Sequence, residues 1–200
     1  MNKRRWMWIA VGSTLVNLAF AAGNFLIGWI ETSWWYLSLG VYYLILCLIR
    51  GLIICLRTYV KDQLISRLTG SMLMVTALPL LGIAILSAVR DTGHRFHTIV
   101  MITLALYTFT KITIAIINLC KVRSSGKAWE RALRNISFAD ALVSIASLQR
   151  SMLVTYEGMT VGEIRLFNLL TGIGVCMVIF ILGLSLFSEI FTKRKQGQII

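Results

Sequence analysis

Two hundred residues, of which 58% are hydrophobic, 14% charged and one a proline, make a chain too apolar and too uninterrupted for a soluble globular domain. The formal net charge of +12 comes mostly from basic residues in short segments between apolar runs. A nucleic-acid partner would need a basic face on a soluble domain, so none is expected, and the lipid bilayer is the natural surroundings.

The first apolar run covers residues 6–30. About 20 residues cross a hydrocarbon core of ~30 Å, so this run is long enough to span and reads as a retained helix, not a cleaved signal peptide. Asn17, Asn24 and Gly28 follow one another at intervals of seven and four and share one face of it. The second run, 33–56, carries Arg50; the third is 71–89; the fourth, 97–120, carries Lys111. In the fifth, 136–156, Asp140, Ser144, Ser147 and Ser151 stand at intervals of four, three and four, a polar stripe on one helical face. The sixth is 165–191. Helices alone satisfy their own backbone groups in a lipid-exposed segment, so the expected fold is all-α: a single polytopic domain of six transmembrane helices over residues 1–200.

Fourteen basic residues fall on one side of this arrangement: Lys3, Arg4, Arg5, Arg57, Lys61, Arg67, Lys121, Arg123, Lys127, Arg131, Arg134, Lys193, Arg194 and Lys195. Three fall on the other, Arg90, Arg95 and Arg165, with Glu31, Glu157 and Glu163. By the positive-inside rule the basic side is cytoplasmic, which predicts a multi-pass protein of the cell membrane with both termini inside. Trp6, Trp8, Trp29, Trp34, Trp35 and Tyr36 near the span ends fit interfacial anchoring. The connectors 57–70 and 121–135 are basic. In the second, Trp129, Ala132 and Leu133 offer an apolar edge for lying against anionic lipid, or else it is a solvated loop.

Four ionisable residues stand within the spans: Arg50, Lys111, Asp140 and Arg150. Such groups cost ~2.5–3.5 kcal/mol to insert and turn toward a partner or a watery cavity. Arg50 and Asp140 lie at similar depths from the same end of their helices, and Asp140 is also the acid nearest in depth to Lys111, so it is expected to serve both cations. Arg150 is within reach of the interface or of Glu157. The stripe on helix 5 and the Asn17–Asn24 face of helix 1 suit either a hydrated path or close helix packing.

Catalysis is not indicated. His94 and His97 have no carboxylate or cysteine constellation beside them, and no phosphate loop, nucleophile elbow or metalloprotease motif occurs. Cys47, Cys55, Cys120 and Cys176 form no Cys-x-x-Cys pair, so no zinc site, disulfide framework or cofactor is expected from them.

Asn17, Asn24, Gly28 and Ser33, together with the segment Phe-Ala-Asp-Ala-Leu-Val-Ser at 138–144, resemble motifs in the membrane domain of the cation diffusion facilitator transporters. That resemblance implies six helices, cytoplasmic termini and assembly as a homodimer. On its register the metal-ligand positions fall at Tyr42, Leu46, Val143 and Ser147, which are poor zinc donors, so no metal site is expected. The cytoplasmic domain that usually follows helix 6 in that family is not seen after Lys195.

The sequence thus points to a transporter-like membrane protein, not an enzyme, with a polar cavity lined by helices 1, 2 and 5 and a small ion or solute as cargo. The alternative is a non-transporting pseudo-transporter, acting as a membrane scaffold or as the substrate-binding subunit of a larger complex with a membrane-protein partner.

Overall fold

The computed structural model describes residues 3–30, 32–56, 60, 62–90, 97–122, 128–156 and 158–196. They form six helices and nothing else regular: α1 (Lys3–Ile30), α2 (Trp34–Leu56), α3 (Asp62–Arg90), α4 (Thr98–Val122), α5 (Ala128–Thr155) and α6 (Val161–Gln196). Five of them, all but α5, are long and apolar enough to cross a membrane. Arg57, Lys61, His94, Arg95, Arg123, Lys127, Glu31 and Glu157 lie outside the described residues, as do the side chains of Lys3, Arg4, Arg5, Arg90, Lys121, Lys193, Arg194 and Lys195.

Neighbours run antiparallel. Along α1 and α2, Ser13 meets Arg50, Phe20 meets Tyr43 and Gly28 meets Leu37. Along α4 and α5, Asn118 meets Arg134 and Lys111 meets Asp140. Along α2 and α5, Arg50 meets Ser137, Tyr43 meets Ser144 and Trp35 meets Arg150. Along α3 and α6, Arg67 meets Phe187 and Gly70 meets Gly183. The N-terminus of α1 and the C-terminus of α6 therefore share one end of the bundle, here termed the terminal end.

Two pairings depend on small residues. A Cβ on Gly70 would lie 2.7 Å from the carbonyl oxygen of Gly183, and one on Gly183 would lie 2.8 Å from that of Gly70. Gly28 likewise admits the backbone of Leu37, where a Cβ would lie 2.7 Å from the amide nitrogen. Backbones approach this closely in membrane bundles because lipid offers apolar side chains no reason to leave it, and packing contacts must hold helices together. The α1–α2 turn closes tightly, with Ser33 N–H donating to Gly28 C=O at 3.1 Å and Thr32 in the left-handed region at φ 50°. At the start of α6, Thr160 and Glu163 form a reciprocal capping box, with Thr160 N–H donating to the carboxylate at 2.8 Å.

The helices extend past the apolar runs. α3 begins at Asp62 instead of near residue 71, and α5 at Ala128 instead of near 136. Hydropathy marks the part of a helix that suits hydrocarbon, whereas the helix itself continues through polar residues that keep their backbone bonds. Trp129, Ala132 and Leu133 do not form a free apolar edge for lipid: they are 9%, 0% and 7% exposed and belong to the core of the bundle. α5 is the most polar of the six helices, and half of its residues are buried against the others. By contrast α4 turns Ile99, Ile102, Leu106, Phe109 and Ile114 outward, and its exposed Thr103, Thr110 and Thr113 hydroxyls donate to carbonyls four residues back. Soluble monomers rarely expose a contiguous apolar face of this extent, which suits contact with lipid or with a partner.

Candidate functional site

At mid-bundle one carboxylate holds two cations. Asp140 is 1% exposed; its Oδ1 lies 2.7 Å from Lys111 Nζ and its Oδ2 lies 3.4 Å from an Arg50 guanidinium nitrogen. The sharing expected from depth alone is therefore present. Arg50 also donates to the hydroxyls of Ser13 and, at 3.0 Å, Ser137, while Lys111 donates to Ser144 Oγ at 2.8 Å. The Ser144 hydroxyl donates to the backbone carbonyl of Asp140 at 2.9 Å, so Tyr43 O–H is left to donate to Ser144 Oγ at 3.2 Å.

Three rings close around the ammonium. Lys111 Nζ stands 5.6 Å from the ring centroid of Phe20, 5.4 Å from that of Tyr43 and 5.6 Å from that of Tyr107. Phe20 and Tyr107 stack at 4.9 Å. Away from water each such cation–π contact is worth on the order of 1–2 kcal/mol, so the cage holds Lys111 inward where a lysine elsewhere would snorkel. Tyr107 precedes Lys111 by four residues, one helical turn, and that spacing was the available signal; the contributions of Phe20 and Tyr43 come from other helices and leave no mark in the sequence.

Two cavities flank this cluster. The one toward the terminal end has a volume of about 300 Å³ and is lined by Ser13, Asn17, Arg50, Lys111, Arg134 and Asp140 among others. The second, of about 330 Å³, lies toward the opposite end and is lined by Asn24, Tyr36, Tyr43, Ser144, Ser147 and Ser151 among others. Tyr107 borders both. The stripe on α5 is thus divided: Asp140 faces one cavity, the three serines the other, and the Lys111–Ser144 bond lies where they meet. α4 contributes to both walls, so the expected lining by helices 1, 2 and 5 is incomplete.

Asn17 is 1% exposed, and its side-chain nitrogen has no hydrogen-bond partner. Asn24 donates to the Phe20 carbonyl at 2.7 Å. Arg134 lies 3.8 Å from Glu130 and donates to the Asn118 carbonyl at 3.1 Å. Arg150 is 3% exposed with its guanidinium 4.4 Å above the Trp35 ring, so it is packed between α2 and α5. Glu157, its other suggested partner, is outside the described residues.

The positions where the resemblance would put metal ligands are otherwise used. Tyr42, Leu46 and Val143 pack in the core and Ser147 lines the second cavity. Among the described residues no group of three or more His, Cys, Asp or Glu gathers, and His97 is exposed. Ser13, Ser137, Phe20, Tyr43 and Tyr107 join the site without having been singled out by sequence. No protein-family model, curated protein or solved structure matches this chain.

Proposed function

We propose that this chain is a six-span membrane transporter-like protein of the cell membrane, with cytoplasmic termini, that passes a small solute along α1, α4 and α5. The observation that carries the reading is the pair of cavities flanking one charge cluster, with Tyr107 on both walls and the Lys111–Ser144 bond where they meet. A solute path needs a site reachable from each side in turn and a barrier between them. Lys111 and Asp140 are suited to be that barrier, because a long side chain held by one carboxylate, one hydroxyl and three rings has a discrete released state. The fourteen-to-three excess of basic residues supports cytoplasmic termini and six crossings, α5 included.

Single cysteines at Ser13→Cys and Ser147→Cys, in a background without the native cysteines, test this without knowledge of the cargo. The expected result is labelling by a membrane-impermeant maleimide of Ser13→Cys from the cytoplasmic side and of Ser147→Cys from outside. Shielding of both positions from either side would sink the path.

The fully engaged Asp140 carboxylate favours a second reading, a pseudo-transporter whose ion-paired core serves only to hold the helices together. In that case Asp140→Asn weakens folding and nothing else, and the chain acts through a membrane-protein partner. Assembly as a homodimer, which the resemblance to cation diffusion facilitators implies, is compatible with both.

A further inference from the structure

The charges of the mid-bundle cluster do not cancel. Arg50 and Lys111 share one carboxylate, and each of its oxygens is already committed to one of them. Arg134, on the same cavity wall, has its own acid in Glu130. Among the described residues no second acid lines either cavity. A buried net charge of one unit is expensive away from water, and a protein that retains it gains by binding a counter-charge. Its sign is positive.

The same cavity offers an unused donor. The buried, unpartnered nitrogen of Asn17 lies on the wall that also carries Arg50 and Lys111. Between these polar groups the lining is apolar, with Val16, Ile114, Ala115 and Leu133. A wall with an excess positive charge and a free N–H at one place and hydrocarbon elsewhere matches a ligand with an anionic head and an apolar body. The volume of about 300 Å³ is that of a small-molecule site.

We infer that the terminal-end cavity binds a small organic monocarboxylate, its carboxylate held by Arg50, Lys111 and Asn17 and its apolar part against α1, α4 and α5. This rests on the transport reading for its purpose but not for its chemistry. Bound there, the anion neutralises the excess charge and competes with Asp140 for Lys111. Release of Lys111 from Asp140 is then coupled to occupancy, which couples the solute to the barrier between the cavities.

Benzoate serves as the test ligand, with benzamidinium as its cationic counterpart, each titrated calorimetrically into the full chain in phosphatidylcholine nanodiscs. Benzoate is expected to bind and benzamidinium not. Asn17→Leu and Lys111→Met should each weaken benzoate by about tenfold or more. Asp140→Asn, which removes the competing carboxylate, should bind benzoate at least as tightly as the unaltered chain, with a larger rise in unfolding temperature on adding it. That last comparison stands even if the variant is much less stable. Preference for benzamidinium, absence of benzoate binding, or loss of benzoate binding in Asp140→Asn would overturn the inference. So would abolition of benzoate binding in nanodiscs that also contain phosphatidylglycerol, since the site would then hold a lipid headgroup. Uptake of benzoate into proteoliposomes separates the two proposals: binding without uptake keeps the site and removes transport, while uptake of benzamidinium alone keeps transport and removes the anion.

Discussion

The chemistry of this chain gathers at Asp140, where each carboxylate oxygen holds a different cation. Removing the charge with Asp140→Asn leaves Arg50 and Lys111 buried side by side without an acid, and breaking a buried pair in this way costs about 3–5 kcal/mol. The double change Asp140→Asn with Lys111→Met removes one of the two stranded cations. It is expected to recover part of the loss, so that in detergent it unfolds at a higher temperature than Asp140→Asn alone; simple addition of two separate losses would show that the residues are not coupled. Ser144→Ala removes the acceptor used by Lys111 and Tyr43 and one donor to a helix carbonyl, and should cost ~0.6 kcal/mol per contact, the usual size of a polar side-chain contact inside a membrane bundle. Asp140, Arg50 and Lys111 were legible in the sequence because charges in apolar runs are rare and their depths can be counted. Ser13, Ser137, Phe20, Tyr43 and Tyr107 were not: serines and aromatic residues are common in spans, and only the packing of four helices shows which of them meet.

At the scale of helices, each of the six apolar runs falls on one helix to within a residue, and in five of the helices length and hydropathy also suffice for a membrane crossing. The helix ends were less legible, since residues 62–70 and 128–135 are polar enough to resemble connectors and yet lie on α3 and α5. The α3–α6 seam also left no clear signal, as glycines occur throughout the chain and only some of them touch a neighbour. Gly70 and Gly183 do, with each Cβ position under 3.0 Å from the other's carbonyl oxygen, whereas Gly82 and Gly174 on the same two helices have nothing within 4 Å. Gly70→Ala and Gly183→Ala should therefore each destabilise by about 1–3 kcal/mol through overpacking. Gly82→Ala and Gly174→Ala should be neutral or stabilise by up to ~1 kcal/mol through helix propensity. Thermal unfolding of the four purified variants checks the contrast; equal losses at all four positions would mean that the seam is not set by close backbone contact.

For the whole molecule the number of crossings turns on α5, and its neighbours bear on it more than its own composition does. α5 is too polar to count as a span by hydropathy. Yet it runs beside α2 from Trp35 to Arg50 and beside α4 from Lys111 to Asn118, so it occupies the same depth as two helices that do qualify. Half of it is shielded by the other helices, which is how a polar helix can stand in a bilayer without facing lipid. Parity tests this. If α5 crosses, Val60 lies on the cytoplasmic side and both His97 and Met159 lie outside; if it does not, Met159 returns to the side of Val60. With the native Cys47, Cys55, Cys120 and Cys176 replaced, Val60→Cys, His97→Cys and Met159→Cys are each exposed to an impermeant maleimide on intact cells. His97→Cys and Met159→Cys should label and Val60→Cys should label only after the membrane is opened. Protection of Met159→Cys alongside Val60→Cys would leave five crossings and place the termini on opposite sides. The shared carboxylate would then no longer stand at the centre of a closed six-helix path.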